Sequence, residues 1–592
     1  MKRVRPFAAA LLGFALALAA PAEAQRRQRP VAPAPARTAQ VFVAAAHPLA
    51  VEAGLEVLRR GGSAVDAAIA VQAMLGLVEP QSSGVAGGGF MAYYDAVSTA
   101  VFVYDGRETA PAGASPDMFL DATGLALPRS QAMLGGRATG VPGVLAMLDM
   151  AHRAHGRLQW NSLFETTRRR ADTGFTVSER LARYVHGDYP QSLAPDVRAY
   201  FAQGPGGALV RPGETIRNPA YSAFLRRLAD EGTSAFYRGP TAERIVARTA
   251  AEPLPGTMTV ADLAAYQPMR RDPLCATYRV YRVCAPPPPA TGVGLLQLLA
   301  LLERTDIAGR GPQDPQAWFL FAEASRLMYA DRDHYVGDPA FMAVPVAGLL
   351  HPTYVSERLR LIGERAGPTP LPGSPPAAPA VSADRTAEPA GTSHFVIVDG
   401  FGNAVSMTTT IESYFGSGRM VDGFFLNNQM TDFALDPRSV SANSIAPGKR
   451  PRSSMTPLIV SHASNGHLAG ALGSPGGNAI PAYVAKTLVA RIDWNMPLQA
   501  GIDLPNLVAR GAAFNGEAGR MSEDLRLGLA WRGIEVRPGS GEDSGLHGAW
   551  ITPQGFDGGF DRRRDGAART ETVTLPADPP RPPDRRRRRT RR

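Results

Sequence analysis

Thr392 carries the most specific chemistry in the chain. It opens the stretch TSHFVIV (392–398), a β-branched and aromatic run. Asp399-Gly400 and Gly402-Asn403 then supply turn chemistry, and Ala404 to Ile411 can return as a second strand. A threonine hydroxyl is a weak nucleophile without a base beside it. Cutting the chain before Thr392 would make such a base, because the freed α-amine titrates near neutrality. Thr410, on the returning strand, can approach the Thr392 hydroxyl and orient it. Other polar stretches offer complementary chemistry. Arg107 in DGRETAP follows a predicted strand and suits a planar grip on a carboxylate. Gln429 and Asp432 in FFLNNQMTDF follow an apolar run, and Asp432 can hold an ammonium. Ser453 and Ser454 in KRPRSSMTP can donate to a carboxylate. Gly476 and Gly477 in GSPGG can present backbone N–H groups to a developing oxyanion. Taken singly, each reads more readily as ordinary strand or loop chemistry than as a site.

The elements that must position these residues follow from composition and period. The Pro/Ala-rich run Gly367 to Gly391 favours exposed, extended chain with no packed core of its own. Ala50 to Arg59 and Ala64 to Leu77 have helical spacing and are separated by Gly61-Gly62, which predicts two packed helices. The cluster Gly84 to Gly89 leads into a predicted strand, Phe90 to Tyr94. Its spacing fits neither a dinucleotide fingerprint nor a P-loop, and a phosphate site would need a helix next. Val101 to Tyr104 reads as another strand. From Val141 to Leu361 the chain reads as largely helical scaffold, clearest at Gly143–Ala154, Asn218–Asp230, Gly292–Glu303 and Ala317–Tyr329. Cys275 and Cys284, the only cysteines, flank an extended ATYRVYRV and can pair across a hairpin in an oxidising compartment. Two cysteines without nearby histidines are too few ligands for a metal site. His462 and His467 read as surface residues.

Composition removes one class of function. The formal charge of +10 suggests nucleic-acid binding until it is located. Residues 1–30 hold six Lys/Arg against one acid, and residues 569–592 hold nine Arg against three acids, so the remaining body is near −1. The Arg585 to Arg589 run, beside several prolines, reads as a solvated tail. Met1 to Ala24 has the basic start, short apolar centre and small-residue end of a signal peptide, which predicts export to the periplasm or beyond. No other stretch approaches the roughly 20 apolar residues of a membrane span.

In combination, DGRETAP, GTSHF, TTTIES, NNQMTDF, RPRSSM and GSPGG resemble, in order and approximate spacing, the gamma-glutamyltranspeptidases, which are N-terminal nucleophile hydrolases. The resemblance extends from about Ala44 to Ala567 and includes HPLAVEAGLEVLRRGGSAVDAA, VEPQSSGVAGGGF and the late FDRRRDGA. It implies an α+β fold, a four-layer αββα sandwich with two central antiparallel sheets. It implies a precursor that cuts itself between Gly391 and Thr392, giving a large subunit (25–391) and a small one (392–568) ahead of a disordered basic tail (569–592). Thr392 would be nucleophile and base, supported by Thr410. Gly476 and Gly477 would form the oxyanion hole. Arg107, Ser453 and Ser454 would hold the α-carboxylate of a γ-glutamyl donor such as glutathione, with Gln429 and Asp432 on its α-amino side. The acceptor would be water, an amino acid or a peptide. Neither cofactor nor metal is called for.

Two departures bear on specificity. Glu412 stands where many members have an asparagine near the donor's amino group, and the interval from Asp432 to Ser453 is short for a lid. A more open pocket would admit larger γ-glutamyl compounds or the side-chain acyl groups of β-lactams, as in the related cephalosporin acylases. A binding protein that has lost the reaction is a further alternative, but it would have no use for Thr392, Thr410 and the glycine pair.

Overall fold

The computed structural model describes residues 37–575 apart from 385, 387, 390, 439 and 540–543. The expected signal peptide and the Arg585–Arg589 run lie outside the described residues. In chain order, the elements that position the site are strand β1 (Arg37–Ala45), helices α1 (Pro48–Arg59) and α2 (Ala64–Val78), strands β2 (Gly88–Asp95) and β3 (Ala100–Asp105), helix α3 (Val144–His155), and strands β4 (Met269–Arg271), β5 (Leu274–Tyr278) and β6 (Tyr281–Ala285). Helices α4 (Gly292–Glu303) and α5 (Pro315–Tyr335) follow, then strands β7 (Gly391–Val398), β8 (Ala404–Glu412), β9 (Leu458–His462) and β10 (Leu468–Gly473), helix α6 (Ile480–Ile492), and strands β11 (His547–Thr552), β12 (Gly555–Phe560) and β13 (Ala567–Leu575).

The strands form two main sheets, ordered β13-β1-β7-β8-β2-β3-β4 and β12-β11-β10-β9-β6-β5. Pairing is antiparallel from β1 through β4 and throughout the second sheet. Because side chains alternate across a strand, each buried strand feeds two cores. In β7, Val396 and Val398 join Ile459 of β9, Cys284 of β6, Ala471 of β10 and Ala549 of β11 in one apolar cluster shared by both sheets. Phe395 and Ile397, of opposite parity, pack instead with α1, α2 and α3. Val283 and Ala285 of β6, with Leu458 and Val460 of β9, pack with α4, α5 and α6. Every residue of α2 is buried, which explains its largely apolar, Ala/Val/Leu-rich composition. Its start is fixed by a capping box, in which Asp66 N donates to Ser63 Oγ (3.1 Å) and Ser63 N to Asp66 Oδ2 (2.9 Å).

The hairpin predicted around Asp399-Gly400 is β7–β8. Asp399 closes its turn, with Oδ1 accepting from Phe401 N and Asn403 N (both 2.9 Å). Its other oxygen accepts from Ala64 N at 2.9 Å, which ties the turn to the start of α2. Cys275 and Cys284 face each other on β5 and β6 and are disulfide-bonded.

One expectation needs refinement and one needs correction. Segment 367–383, expected to be exposed and extended, carries no strand or helix and is largely exposed, but it is tied along α5, and the linker's end is buried. Arg326 donates to Gly367 O (3.1 Å) and Pro368 O (2.8 Å), and Tyr335 Oη donates to Gly373 O (2.6 Å). Asp384 and Glu388 are buried against Arg452 and Arg332. Polar anchors hold this segment, and apolar composition does not register them. Residues 569–575, expected to belong to the basic tail, are ordered strand instead. Residues up to Leu575 form β13, and Val573 and Leu575 are buried in the first sheet's helix-side core. Among the described residues, no helix is long and apolar enough to cross a membrane.

Candidate active site

Thr392 is the second residue of β7 and lies directly opposite Thr410 of β8. It is 4% exposed. Its hydroxyl donates to Thr410 Oγ1 at 3.2 Å. Thr410 in turn donates to the carbonyl oxygen of Gly391 at 2.7 Å and accepts from Glu412 N at 2.8 Å. The Thr410 hydroxyl has one proton, and here that proton is aimed at the carbonyl of the Gly391–Thr392 bond. Such a bond polarises the carbonyl toward attack and stabilises the oxyanion that attack creates. A register shift between Thr410 and Glu412, with Glu412 at φ +80°, re-aims the Glu412 side chain toward the same cavity.

Charged groups form the other end of this cavity. Arg107 is buried just beyond β3. Its Nε donates to Pro451 O (3.2 Å), and its Nη2 donates to Arg452 O (2.8 Å) and Asp432 Oδ2 (2.6 Å). Gln429 Nε2 donates to the same Asp432 oxygen at 2.5 Å. Asp432 Oδ1 and Gln429 Oε1 are buried without a hydrogen bond. Both residues line the cavity, and Arg129 Nη2 stands 3.8 Å from Asp432 Oδ1. Burial raises Asp432's pKa even with Arg107 beside it. Burial, with the Asp432 carboxylate adding to it, also pushes Glu412 up to about 8 against the pull of Arg129. Arg129 holds Glu412 Oε1 and donates to Thr431 O at 2.5 Å.

Ser453 and Ser454 are fixed by elements far away in sequence. Ser453 N donates to Pro289 O (2.9 Å) and Thr291 Oγ1 to Ser453 O (2.7 Å), which joins this segment to the start of α4. Arg332 of α5 donates to Ser454 Oγ at 2.6 Å, and Ser454 N donates to Glu388 Oε2 at 2.8 Å. Glu388 lies three residues before Gly391. Burial opposes its ionisation, but Arg332 and Arg452 outweigh this and hold it down at about 2. The Glu388 carboxylate therefore sits on Ser454.

Glu388 and Pro389 leave a cavity of only about 20 Å³ between Arg107, Thr392, Asp432 and Gly477. That is room for about one water. They also form one wall of a neighbouring cavity of about 590 Å³, lined by Tyr189, Tyr414, Tyr483, Met133 and Val508, with Arg129 and Arg510 among its charged groups. The glycine pair is divided between these spaces. Gly477 (φ +54°) lines the nucleophile's cavity and Gly476 (φ +131°) the outer one. The Glu388 carbonyl rests on this turn and accepts from Asn478 N at 3.2 Å.

Nine of the residues anticipated from the sequence line this cavity, Gly391 meets it through Thr410, and Gly476 lines the outer cavity. Sequence reading missed Arg129, Arg332 and Glu388. Arg332 had a signal, because α5 carries Glu323, Arg326, Asp331 and Arg332 in a helix buried almost throughout. Arg129 and Glu388 had none. Among the described residues, no group of His, Cys, Asp and Glu is arranged to hold a metal.

Comparisons with known proteins show the family to which the chain belongs. The family model for gamma-glutamyltranspeptidase matches residues 50–570. A glutathione hydrolase proenzyme of Bacillus subtilis is 38% identical over 481 residues, covering 79% of this chain and 80% of the relative. The Acylase ACY 1 proenzyme of a Pseudomonas species (strain V22) is 32% identical over 529 residues, covering 88% and 91%. Among solved structures, a cephalosporin acylase from Bacillus halodurans superposes with a TM-score of 0.79 at 27% identity, covering 92% of this chain and 98% of that one.

Proposed function

Since the chain belongs to the gamma-glutamyltranspeptidase family, we propose that it is an exported, self-cleaving enzyme that transfers the γ-glutamyl group of glutathione and related donors to water, amino acids or peptides. The observation that carries this reading is the Thr392–Thr410–Gly391 arrangement, set in one cavity with two unsatisfied acceptors and a buried arginine.

The arrangement supports self-cleavage first. Thr392 Oγ attacks the Gly391 carbonyl, whose oxygen Thr410 already binds. The bond to Thr392 N breaks and an ester replaces the amide. Water hydrolyses that ester, which leaves a Gly391 carboxylate and a free Thr392 amine. With only about 20 Å³ free, a donor enters once Glu388 and Pro389 withdraw. The donor's α-ammonium then meets Asp432 Oδ1 and Gln429 Oε1, and its α-carboxylate meets Arg107, Ser453 and Ser454. The amine of Thr392 takes the hydroxyl proton as Oγ attacks the γ-carbonyl, and gives it to the departing amine. The γ-glutamyl ester on Thr392 goes to water, yielding glutamate, or to an incoming amine, yielding a new γ-glutamyl amide. Gly476 and Gly477 supply the N–H groups for the oxyanion in both halves.

The same reading takes 25–391 and 392–568 as subunits of one structural body, with a signal peptide ahead and the basic extension behind. Its four αββα layers would be the helix-side core, the two sheets around their shared apolar cluster, and the α4–α6 core, an arrangement supported by how β7, β6 and β9 divide their side chains. A second reading, a cephalosporin-acylase-like amidase, is favoured by the outer cavity of about 590 Å³. Segment 433–452 supports it too, being folded back on Asp384, Asp432 and its own carbonyls. A donor panel of γ-glutamyl amides against glutaryl β-lactams separates the two.

The test of the nucleophile is intact mass under denaturing conditions with N-terminal sequencing. The parent protein should give two chains, the smaller beginning Thr392-Ser393-His394-Phe395. Thr392→Ala should remain one chain without activity, and cleavage in that variant would refute autoprocessing.

A further inference from the structure

The uncut chain already holds a carboxylate of its own in the cavity that Thr392 lines, and the groups that bind it come from distant parts of the sequence. Glu388 Oε1 accepts from Arg332 Nη2 of α5 at 2.5 Å and from Arg452 Nε at 3.3 Å, and Oε2 accepts from Ser454 N at 2.8 Å. Arg332, Arg452 and Ser454 are all buried. Against the cost of burial, the two arginines keep Glu388 ionised. We propose that Glu388 is a placeholder for the carboxylate of the donor. Arg332, Arg452 and the Ser454 N–H form the seat that the donor's carboxylate takes when the placeholder leaves, which makes Arg332 a specificity-determining residue. This deepens the reading of Thr392 as the nucleophile of a γ-glutamyl transferase and rests on it.

Glu388 and Pro389 leave about 20 Å³ beside Thr392, so the donor and Glu388 cannot share the cavity. When Glu388 withdraws, Arg332 Nη2, Arg452 Nε and Ser454 N each lose an acceptor, and buried donors without acceptors are costly. The seat nevertheless keeps its shape. Arg332 remains bound to Asp333 Oδ1 (2.9 Å), Asn478 Oδ1 (3.2 Å), Thr291 Oγ1 (3.0 Å) and Ser454 Oγ (2.6 Å), and Arg452 remains paired with Asp384 at 2.8 Å. What is missing is one anion with two oxygens, and a carboxylate from outside restores both the charge and the hydrogen bonds.

Arg107 cannot fill this role alone. Its Nε is bound to Pro451 O, and its Nη2 to Arg452 O and Asp432 Oδ2, so it offers a donor only Nη1, which stands 3.5 Å from Glu108. Arg332 supplies the second cation. The ligand class follows from the placeholder: a carboxylate on a short flexible chain, as in a γ-glutamyl group. A 4-aminobutyryl group keeps the ammonium and the reacting carbonyl of that donor but lacks the carboxylate, so it gains nothing from the seat.

The test has two arms. The first measures kcat and KM for γ-glutamyl and 4-aminobutyryl anilides with purified, cleaved parent and Arg332→Gln. The preference for γ-glutamyl should fall about 10–100-fold in the variant, mainly through KM. Equal losses for both anilides would make Arg332 a structural residue and overturn the proposal. The second arm leaves Arg332 intact and needs no turnover. Glu388→Ala removes from the side chain the equivalent of acetate, so acetate can refill the seat of the uncut Thr392→Ala/Glu388→Ala chain. Acetate should raise its melting temperature by about 1–2 °C over chloride at equal ionic strength. Thr392→Ala, whose seat is filled, should not respond. A double variant that ignores acetate, or an equal response in both chains, would overturn the proposal. The acetate arm decides alone if Arg332→Gln does not fold or if 4-aminobutyryl anilide is not turned over. A parent protein without a Thr392 terminus would instead refute the underlying reading, whatever acetate does.

Discussion

The two ends of the cavity are built by different means. At the reacting end, Thr392 and Thr410 are set by strand register, and Gly477 by a left-handed turn. At the recognition end, Arg107, Asp432, Glu412 and Arg129 are set by one another's charges in a buried space. Backbone-built geometry tolerates little displacement but is indifferent to pH. Charge-built geometry tolerates displacement better, but each member's ionisation depends on its neighbours. Substitutions at the first end should therefore reduce turnover at every pH, and those at the second should alter donor affinity in a pH-dependent way.

The largest expected effect is at Gly477. A Cβ there would lie 2.1 Å from Glu388 O and 2.4 Å from Pro389 O, and the residue sits at φ +54°. Gly477→Ala should slow cleavage of the precursor. In the cleaved enzyme it should cost about 10²–10³ in kcat, as for loss of one oxyanion donor. The melting temperature should fall only by what alanine costs at φ +54°, about 1 kcal/mol, because the colliding carbonyls leave with the cut segment.

Gly87 provides the contrast. Its added Cβ would meet Thr410 O at 2.0 Å, a main-chain atom of a central strand that cannot leave. Gly87→Ala should therefore be destabilising by about 1–3 kcal/mol, lowering the melting temperature as well as displacing Thr410 and reducing kcat. Equal changes in stability for the two alanine variants would break the distinction between a packing glycine and a site glycine.

Those two glycines also show what the sequence made legible. The cluster Gly84–Gly89 could be excluded as a phosphate cradle, and glycine signals close approach of backbone. What approaches, the strand carrying Thr410, is a pairing of residues more than 300 positions apart and leaves no local trace. The β7–β8 hairpin was readable because its β-branched run and Asp-Gly turn are local, and Cys275–Cys284 because both lie on one hairpin. The extent of α5 was underestimated at both ends, Ala317–Tyr329 against Pro315–Tyr335. Its polar C-terminal half resembles an exposed stretch, whereas Asp331 and Arg332 are buried because they hold the linker and Ser454. Arg129 and Glu388 acquire their roles only when the chain closes on itself.

The smallest expected effect, and the sharpest test of the charge-built end, is at Glu412. Burial, added to by Asp432, puts its pKa near 8 in the folded chain against the ordinary 4.5. Between pH 4.5 and 8 the folded state therefore holds a proton that the unfolded state has lost, and the residue's contribution to stability falls as pH rises through that window. Glu412→Gln removes that slope, so its melting temperature should gain on the parent's from pH 5 to 8.5. Donor binding should go the other way. As Glu412 ionises in the parent it becomes a charge-assisted acceptor for the donor's ammonium, a gain of about 1.5 kcal/mol, and KM should drop roughly tenfold across pH 8. Glu412→Gln should keep the low-pH KM throughout, with kcat little changed. A parent KM that is flat across pH 8, or a kcat that collapses in Glu412→Gln, would assign this residue to the reacting end instead.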